Sequence, residues 1–268
     1  MSARLAVALV AAVIGSGCIR SATLITVKPD GSGTIEQSVL MNTAALKGML
    51  GGLGAPGGPG QSSGAISEDE LRKTAARLGE GVTYVSSEPV KAADGFEGAK
   101  TLYAFADISK VRVDQDPNLS GSTGGVTTAP KTENPVTFAM ARTGGLSTLT
   151  VTFNDKPARD KAASAPAGGP QMDNPQMMEM MKTMFKGFKV NIDLQVAGAI
   201  VKTNADHVAG NKVTLLEMDL EALLADEAKL KEVQKVLGPN ASVAELKPYL
   251  KDIKGLKVND PVVTIAFK

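Results

Sequence analysis

Residues 188–196 read Phe188-Lys189-Val190-Asn191-Ile192-Asp193-Leu194-Gln195-Val196, apolar and polar side chains alternating without a break. Successive side chains of a strand point to opposite faces. Phe188, Val190, Ile192, Leu194 and Val196 therefore share one face, and Lys189, Asn191, Asp193 and Gln195 share the other. The pattern predicts a half-buried antiparallel strand with one face on a core and one in water.

Downstream, Ile200 and Val201 continue the extended pattern, 204–211 turns the chain and 212–220 returns it. His207, the single histidine, falls in that turn and reads as a surface residue. Asp226 caps an expected helix carrying Leu230, Val233 and Leu237, ended by Gly238-Pro239. Ser242 and Glu245 form a capping box for another, which Pro248 bends or splits. Val262 to Phe267 closes the chain as a strand.

Upstream lies 155–175, rich in Ala, Pro and Gly, which reads as a flexible loop. Asn174 and Pro175 supply an N-cap and a first-turn proline. The helix they open carries Met177, Met178, Met180, Met181 and Met184, with Phe185. Methionine is flexible and polarisable, so such a stripe fills an irregular core or serves a surface that accepts apolar partners. Met177, Met178, Met181, Met184 and Phe185 are the candidate surface for an apolar ligand or a partner.

Nearer the start, 21–28 and 34–41 alternate as strands around Pro29-Asp30-Gly31-Ser32-Gly33, which is turn chemistry, so a hairpin is expected. A second flexible loop is expected at 48–64, where Gly, Pro and Ser dominate. Gly52, Gly54 and Gly57 match G-x-G-x-x-G, but no helix opens within the stretch, so no dinucleotide site is read there. Ser67 and Glu70 cap a helix whose buried stripe is Leu71, Ala75 and Leu78. Further strands are expected at 82–85, 101–113, around 136–140 and at 149–153. The whole gives about nine strands and three or four helices without regular alternation. The expected fold is α+β: an antiparallel sheet with the helices packed on one face.

The opening of the chain has a different character. Arg4 is followed by an unbroken apolar run, Leu5 to Ile14, and then Gly15, Ser16, Gly17 and Cys18. A basic start, an apolar middle of about 7–15 residues and a small-residue exit is the layout of a secretory signal. The run is too short to span a bilayer as a helix, which needs about 20 residues. The segment resembles the lipobox of bacterial lipoproteins, with Gly15 standing where Leu, Val or Ile is usual. That resemblance implies a signal peptide at 1–17, a diacylglyceryl group on the Cys18 sulfur, a short tether at 18–21 and a folded domain over 22–268. Cys18, a short spacer, a strand, the Pro29–Gly33 turn and a return strand also resemble the LppM-type bacterial lipoproteins. This likeness implies an envelope protein with a mixed α/β domain and a role in binding lipids.

Without residues 1–17 the chain carries 28 basic and 28 acidic side chains, so it has no electrostatic reason to seek nucleic acid. With Cys18 acylated no thiol remains for a disulfide, a nucleophile or a thiolate metal site. Asp114, Asp116 and Asn118 start like a calcium loop, but Leu119 and Gly125 stand where Gly and Glu are required. One histidine and no thiol leave histidine-based triads unsupported. The expectation is a protein of the cell envelope, held to the membrane by lipid on Cys18, without cofactor or metal. It acts as a non-enzymatic binding module for lipid or another apolar ligand, or as an assembly lipoprotein for another envelope protein.

Overall fold

In a computed structural model, the structure describes residues 19–42, 67–114, 135–153, 176, 179, 182, 185–226 and 253–268. Thirteen strands are present among these residues: β1 (Ile19–Val27), β2 (Gly33–Asn42), β3 (Thr83–Lys91), β4 (Phe96–Phe105), β5 (Arg112–Asp114), β6 (Pro135–Thr143) and β7 (Leu146–Phe153), then β8 (Lys189–Val196), β9 (Ile200–Thr203), β10 (Val208–Ala209), β11 (Lys212–Asp219), β12 (Leu256–Val258) and β13 (Val262–Phe267). Among the described residues two α-helices join them, α1 (Glu68–Leu78) and α2 (Leu220–Ala225), with one 3-10 turn at Ile108–Lys110.

The strands form two sheets. One has eight strands in the order β10-β11-β8-β1-β2-β4-β3, with β12 on β11. The other has five, β5-β6-β7-β13-β9. One contiguous core takes side chains from both: Ile25, Ile35, Tyr103, Leu194 and Leu215 from the larger sheet, Phe138, Leu149, Ile265 and Phe267 from the smaller. Each set sits at alternate positions, as period 2 demands when one face is buried.

The expected α+β fold, with three or four helices on one face of an antiparallel sheet, is therefore corrected. The molecule is mostly β and has two sheets, and it is the second sheet, not a helical layer, that covers the core face of the first. The described residues hold α1 and α2, and Gln176, Glu179 and Lys182 are helical. The helices expected at 226–237 and 242–253 fall largely outside the described residues, as do the loops expected at 48–64 and 155–175. The stretch 101–113 is not one strand: Asp107 caps the 3-10 turn through Ser109 N–H, and the chain leaves β4 for the other sheet. The α2 helix opens where a strand was expected to end, because Asp219 caps it through Ala222 N–H at 3.1 Å.

The 188–196 stretch is a strand with the expected core face, Val190, Ile192, Leu194 and Val196 all buried. It is antiparallel on one side only. It pairs antiparallel with β11 and parallel with β1, from Arg20 opposite Lys189 to Val27 opposite Val196. Its other face is not simply wet. Asp193 is 7% exposed and accepts hydrogen bonds from Asn191 Nδ2 (3.0 Å), Lys212 Nζ (2.9 Å) and Thr214 Oγ1 (2.8 Å). A central strand has neighbours on both sides to supply such partners, so a carboxylate there is shielded and satisfied together.

The α1 helix matches its sequence signals. Ser67 Oγ accepts from Glu70 N–H, Glu68, Asp69 and Glu70 fill the first turn, and Leu71, Ala75 and Leu78 are buried. Those residues cover the strand end that carries Tyr103, which is 1% exposed and meets Tyr84 edge-on at 6.3 Å. Burial pushes the Tyr103 phenol from 10.0 up to about 12, against the lowering pull of Arg77. A raised phenol pKa stabilises the fold fully below pH 10, and that contribution is lost as pH rises from 10 towards 12. Urea unfolding across that range should show wild type losing up to about 2–3 kcal/mol relative to Tyr103→Phe. Parallel curves for the two proteins would mean that the phenol ionises freely in the folded state.

Candidate functional site

Of the residues singled out in the sequence, Cys18, Met177, Met178, Met181 and Met184 lie outside the described residues. Phe185 is described. It is half-buried in a turn leading into β8, its ring edge-on to Phe188 at 6.3 Å. That turn sits at the end of the larger sheet where β1 begins. Register brings Ile19, Met41, Glu97 and Lys91 to one level, with Arg20, Lys189 and Asp219 beside them.

One side chain ties this end together. Arg20 donates through Nη1 to Asp94 Oδ2 at 2.5 Å and through Nε to Gly187 O at 3.3 Å, while its guanidinium stacks 3.7 Å over the Phe96 ring. A planar fork makes both contacts at once, which an ammonium does not. Gly187 has φ +81°, and a Cβ there would sit 2.8 Å from Phe96, so the close approach of this turn to the ring requires glycine. Glu221 of α2 accepts the Gly187 N–H at 2.9 Å. The turn that carries Phe185 is thus fixed to β1, β4 and α2 together.

The same end holds apolar side chains beyond the shared core. Ile19, Val190, Phe188, Leu224 and Ile253 are buried but belong to no part of the core between the sheets. On the face of the sheet that carries Ile19 and Ile25, Val39, Met41 and Ala99 are half-buried. Strand β1 is in place from Ile19 onward, so residues 19–21 of the expected 18–21 tether are already strand, and Ile19 is 4% exposed.

At the opposite end of β1 the Pro29–Gly33 turn forms one wall of a polar cleft of about 380 Å³. Asp30, Gly31, Asp107, Ser109, Met140 and Arg142 line it. Asp30 Oδ1 accepts from Ser32 Oγ (2.7 Å) and Ser32 N–H (2.9 Å). Those two bonds, with Lys28 and Arg142 nearby, hold its carboxyl below the usual carboxylate range. Asp107 Oδ1 accepts from Ser109 N–H at 2.9 Å. The cleft accommodates a small polar group, but Asp30 is held ionised and is unsuited to donating a proton at neutral pH. His207 is half-buried before β10, where its carbonyl accepts from Thr214 N–H, far in sequence from these carboxylates. Among the described residues no three His, Cys, Asp or Glu side chains converge to hold a metal ion. No helix among them is long and apolar enough to cross a membrane.

Sequence reading missed both the Arg20 clamp and the cleft. The Asp30-Gly31-Ser32 turn was legible, but Asp107 comes from the cap of the 3-10 turn and Arg142 from β6, distant segments that leave no local signal. No protein-family model matches the chain, and no curated protein matches it. Among solved structures, the folded domain of the LppM protein of Mycobacterium tuberculosis, determined by NMR, is similar to it at 10% identity and a TM-score of 0.35. That similarity covers 94% of this chain and 91% of the other.

The Arg20 clamp has a pH signature. The hydrogen bond from Arg20 is the largest of the effects that lower the Asp94 pKa from 3.8. A lowered carboxylate pKa stabilises the fold above 3.8, and that contribution is lost as pH falls through the folded-state value. Arg20→Ala should lower the urea midpoint at neutral pH, with a deficit that narrows below pH 3.8. A deficit that does not change with pH would assign the effect of Arg20 to its stacking on Phe96 and its bond to Gly187 O, and not to its pairing with Asp94.

Proposed function

We propose that the chain is a cell-envelope lipoprotein, held to its membrane through lipid on Cys18, and that its folded part is a non-enzymatic binding module for a lipid or another apolar ligand. The observation that carries the anchor is the Leu5–Ile14 apolar run closing on Gly15-Ser16-Gly17-Cys18. Two or three acyl chains on one cysteine give attachment far longer-lived than a single chain, since each buried methylene contributes about 0.8 kcal/mol. The binding reading is supported by the methionine-rich 177–184 stretch, which runs directly into Phe185, and by the half-buried Val39, Met41 and Ala99 at the same end of the sheet. Soft, adaptable apolar side chains suit a ligand whose chains vary in length and shape.

The absence of a catalytic role is part of the proposal. Its support is the chain's chemistry: one histidine, no thiol beyond Cys18, and an ionised Asp30 in the polar cleft.

The test uses the full-length chain expressed in a bacterial envelope and extracted in detergent. Intact mass should show a diacylglyceryl-modified Cys18, and Cys18→Ala should lose both that mass and the membrane fractionation. Native mass spectrometry should show a stoichiometric lipid, lost when Met181 and Met184 are both changed to Asp in a protein whose circular dichroism is unchanged. A clean apo mass for the acylated wild type would contradict lipid binding and direct the search to protein partners.

A further inference from the structure

The start of β1 has a mechanical consequence for the anchored protein. Cys18 and Ile19 are adjacent residues, with Cα atoms about 3.8 Å apart. Ile19 is buried and is paired with Met41 in the larger sheet. The acylated residue is therefore followed by no flexible spacer. A lipoprotein with a long tether holds its domain at variable height, whereas one whose second residue is core strand has its sheet seated where the lipid enters the bilayer. We propose that the β1-start end of the larger sheet is a membrane-docking face, whose partner is the anionic phospholipid surface around the protein's own anchor. This rests on the lipid-anchor reading of Cys18.

The charge at this end fits that partner. Asp94 pairs with Arg20, Glu97 with Lys91, and Asp219 with Lys189. Glu221 is engaged by the Gly187 N–H. Three of these carboxylates are thus paired with a cation within the protein, and Glu221 is held by a backbone amide. Lys186 and Lys254 are exposed and, among the described residues, have none. Lys186 follows Phe185 in the turn fixed by Gly187, and Lys254 precedes Gly255, whose carbonyl accepts the Asp219 N–H. Two unpaired ammonium groups at the end of the sheet that also carries the half-buried Phe185 match the headgroup region, where cations meet phosphates and amphipathic rings sit. Each basic residue near an anionic bilayer strengthens surface binding about fivefold.

The opposite end is placed by the same geometry. Nine residues of β1 at about 3.3 Å each put the Pro29–Gly33 turn about 30 Å from Ile19. The Asp30–Asp107–Arg142 cleft then opens away from the membrane.

The acylated full chain has no other thiol, so one introduced cysteine gives one labelled position. Ala93→Cys, in the exposed turn beside Asp94, and Ser109→Cys, at the cleft, are each labelled with a fluorophore and reconstituted in phosphatidylglycerol-containing nanodiscs with a headgroup-quencher lipid. Quenching is expected to be several-fold stronger at position 93 than at 109. Adding Lys186→Glu and Lys254→Glu should reduce the quenching at 93. Equal quenching, or more at 109, in a protein whose intact mass shows acylated Cys18 overturns the docking face and leaves the anchor standing. Unchanged quenching in the double Glu variant overturns the role of the two lysines. An unacylated mass overturns the anchor reading and the docking face with it.

Discussion

The parallel pairing of β1 with β8 is the constraint on which the rest of the molecule depends. It joins residues 20–27 to 189–196, across more than half of the chain. On one side β1 carries β2, β4 and β3; on the other, β8 carries β11, β10 and β12. Ala197 N–H donates to Val27 O just past the ladder, and from there the chain leaves for β9 and the smaller sheet. Ile25, Val27, Leu194 and Val196, all fully buried, form the middle of the core that both sheets share. Closing so long a loop is slow and entropically costly, so this pairing is expected to form late and to hold only when the second sheet covers it.

This constraint also explains what the sequence showed and what it did not. Period-2 alternation marked 188–196, 148–153, 262–267 and the first hairpin, because a strand buried on one face writes its own pattern. It also marked α1, whose cap and stripe are local. It was silent on partnership. Nothing in residues 188–196 distinguishes a parallel neighbour from an antiparallel one, so a single antiparallel sheet with a helical layer was the simplest assembly of the same strands. β3, an edge strand with mostly exposed side chains and Pro89 near its end, showed a strand signal only at its start, over 82–85. Asp193 shows the limit most plainly: it follows the polar phase of the strand yet is buried, because Lys212 and Thr214 on β11 satisfy it from next door.

The two ends of β1 differ in chemistry for the same reason that they differ in position. The start carries Arg20, Phe96, Phe185 and Phe188, where guanidinium stacking and aromatic edges lock a turn against the sheet. The far end carries Asp30, Asp107 and Arg142 around a glycine turn, open and polar. The Arg20 clamp was invisible in the sequence since its three contacts lie 74 to 167 residues away. Cys18 was the clearest functional signal in the chain, and the structure adds what the sequence did not show: the chain that follows it is paired strand from Ile19 onward rather than linker.

Cys18 is followed at once by the strand that joins the two halves of the larger sheet. Amide hydrogen exchange of the full chain, resolved by residue, tests it most directly. The amides of 19–27 that hydrogen-bond within the sheet are expected to exchange among the slowest in the protein, opening together with those of 189–196 in one cooperative unit. Fast exchange over 19–23 while 189–196 stays protected would make the start of β1 a tether, and would contradict both the keystone pairing and the seating of the sheet on the membrane.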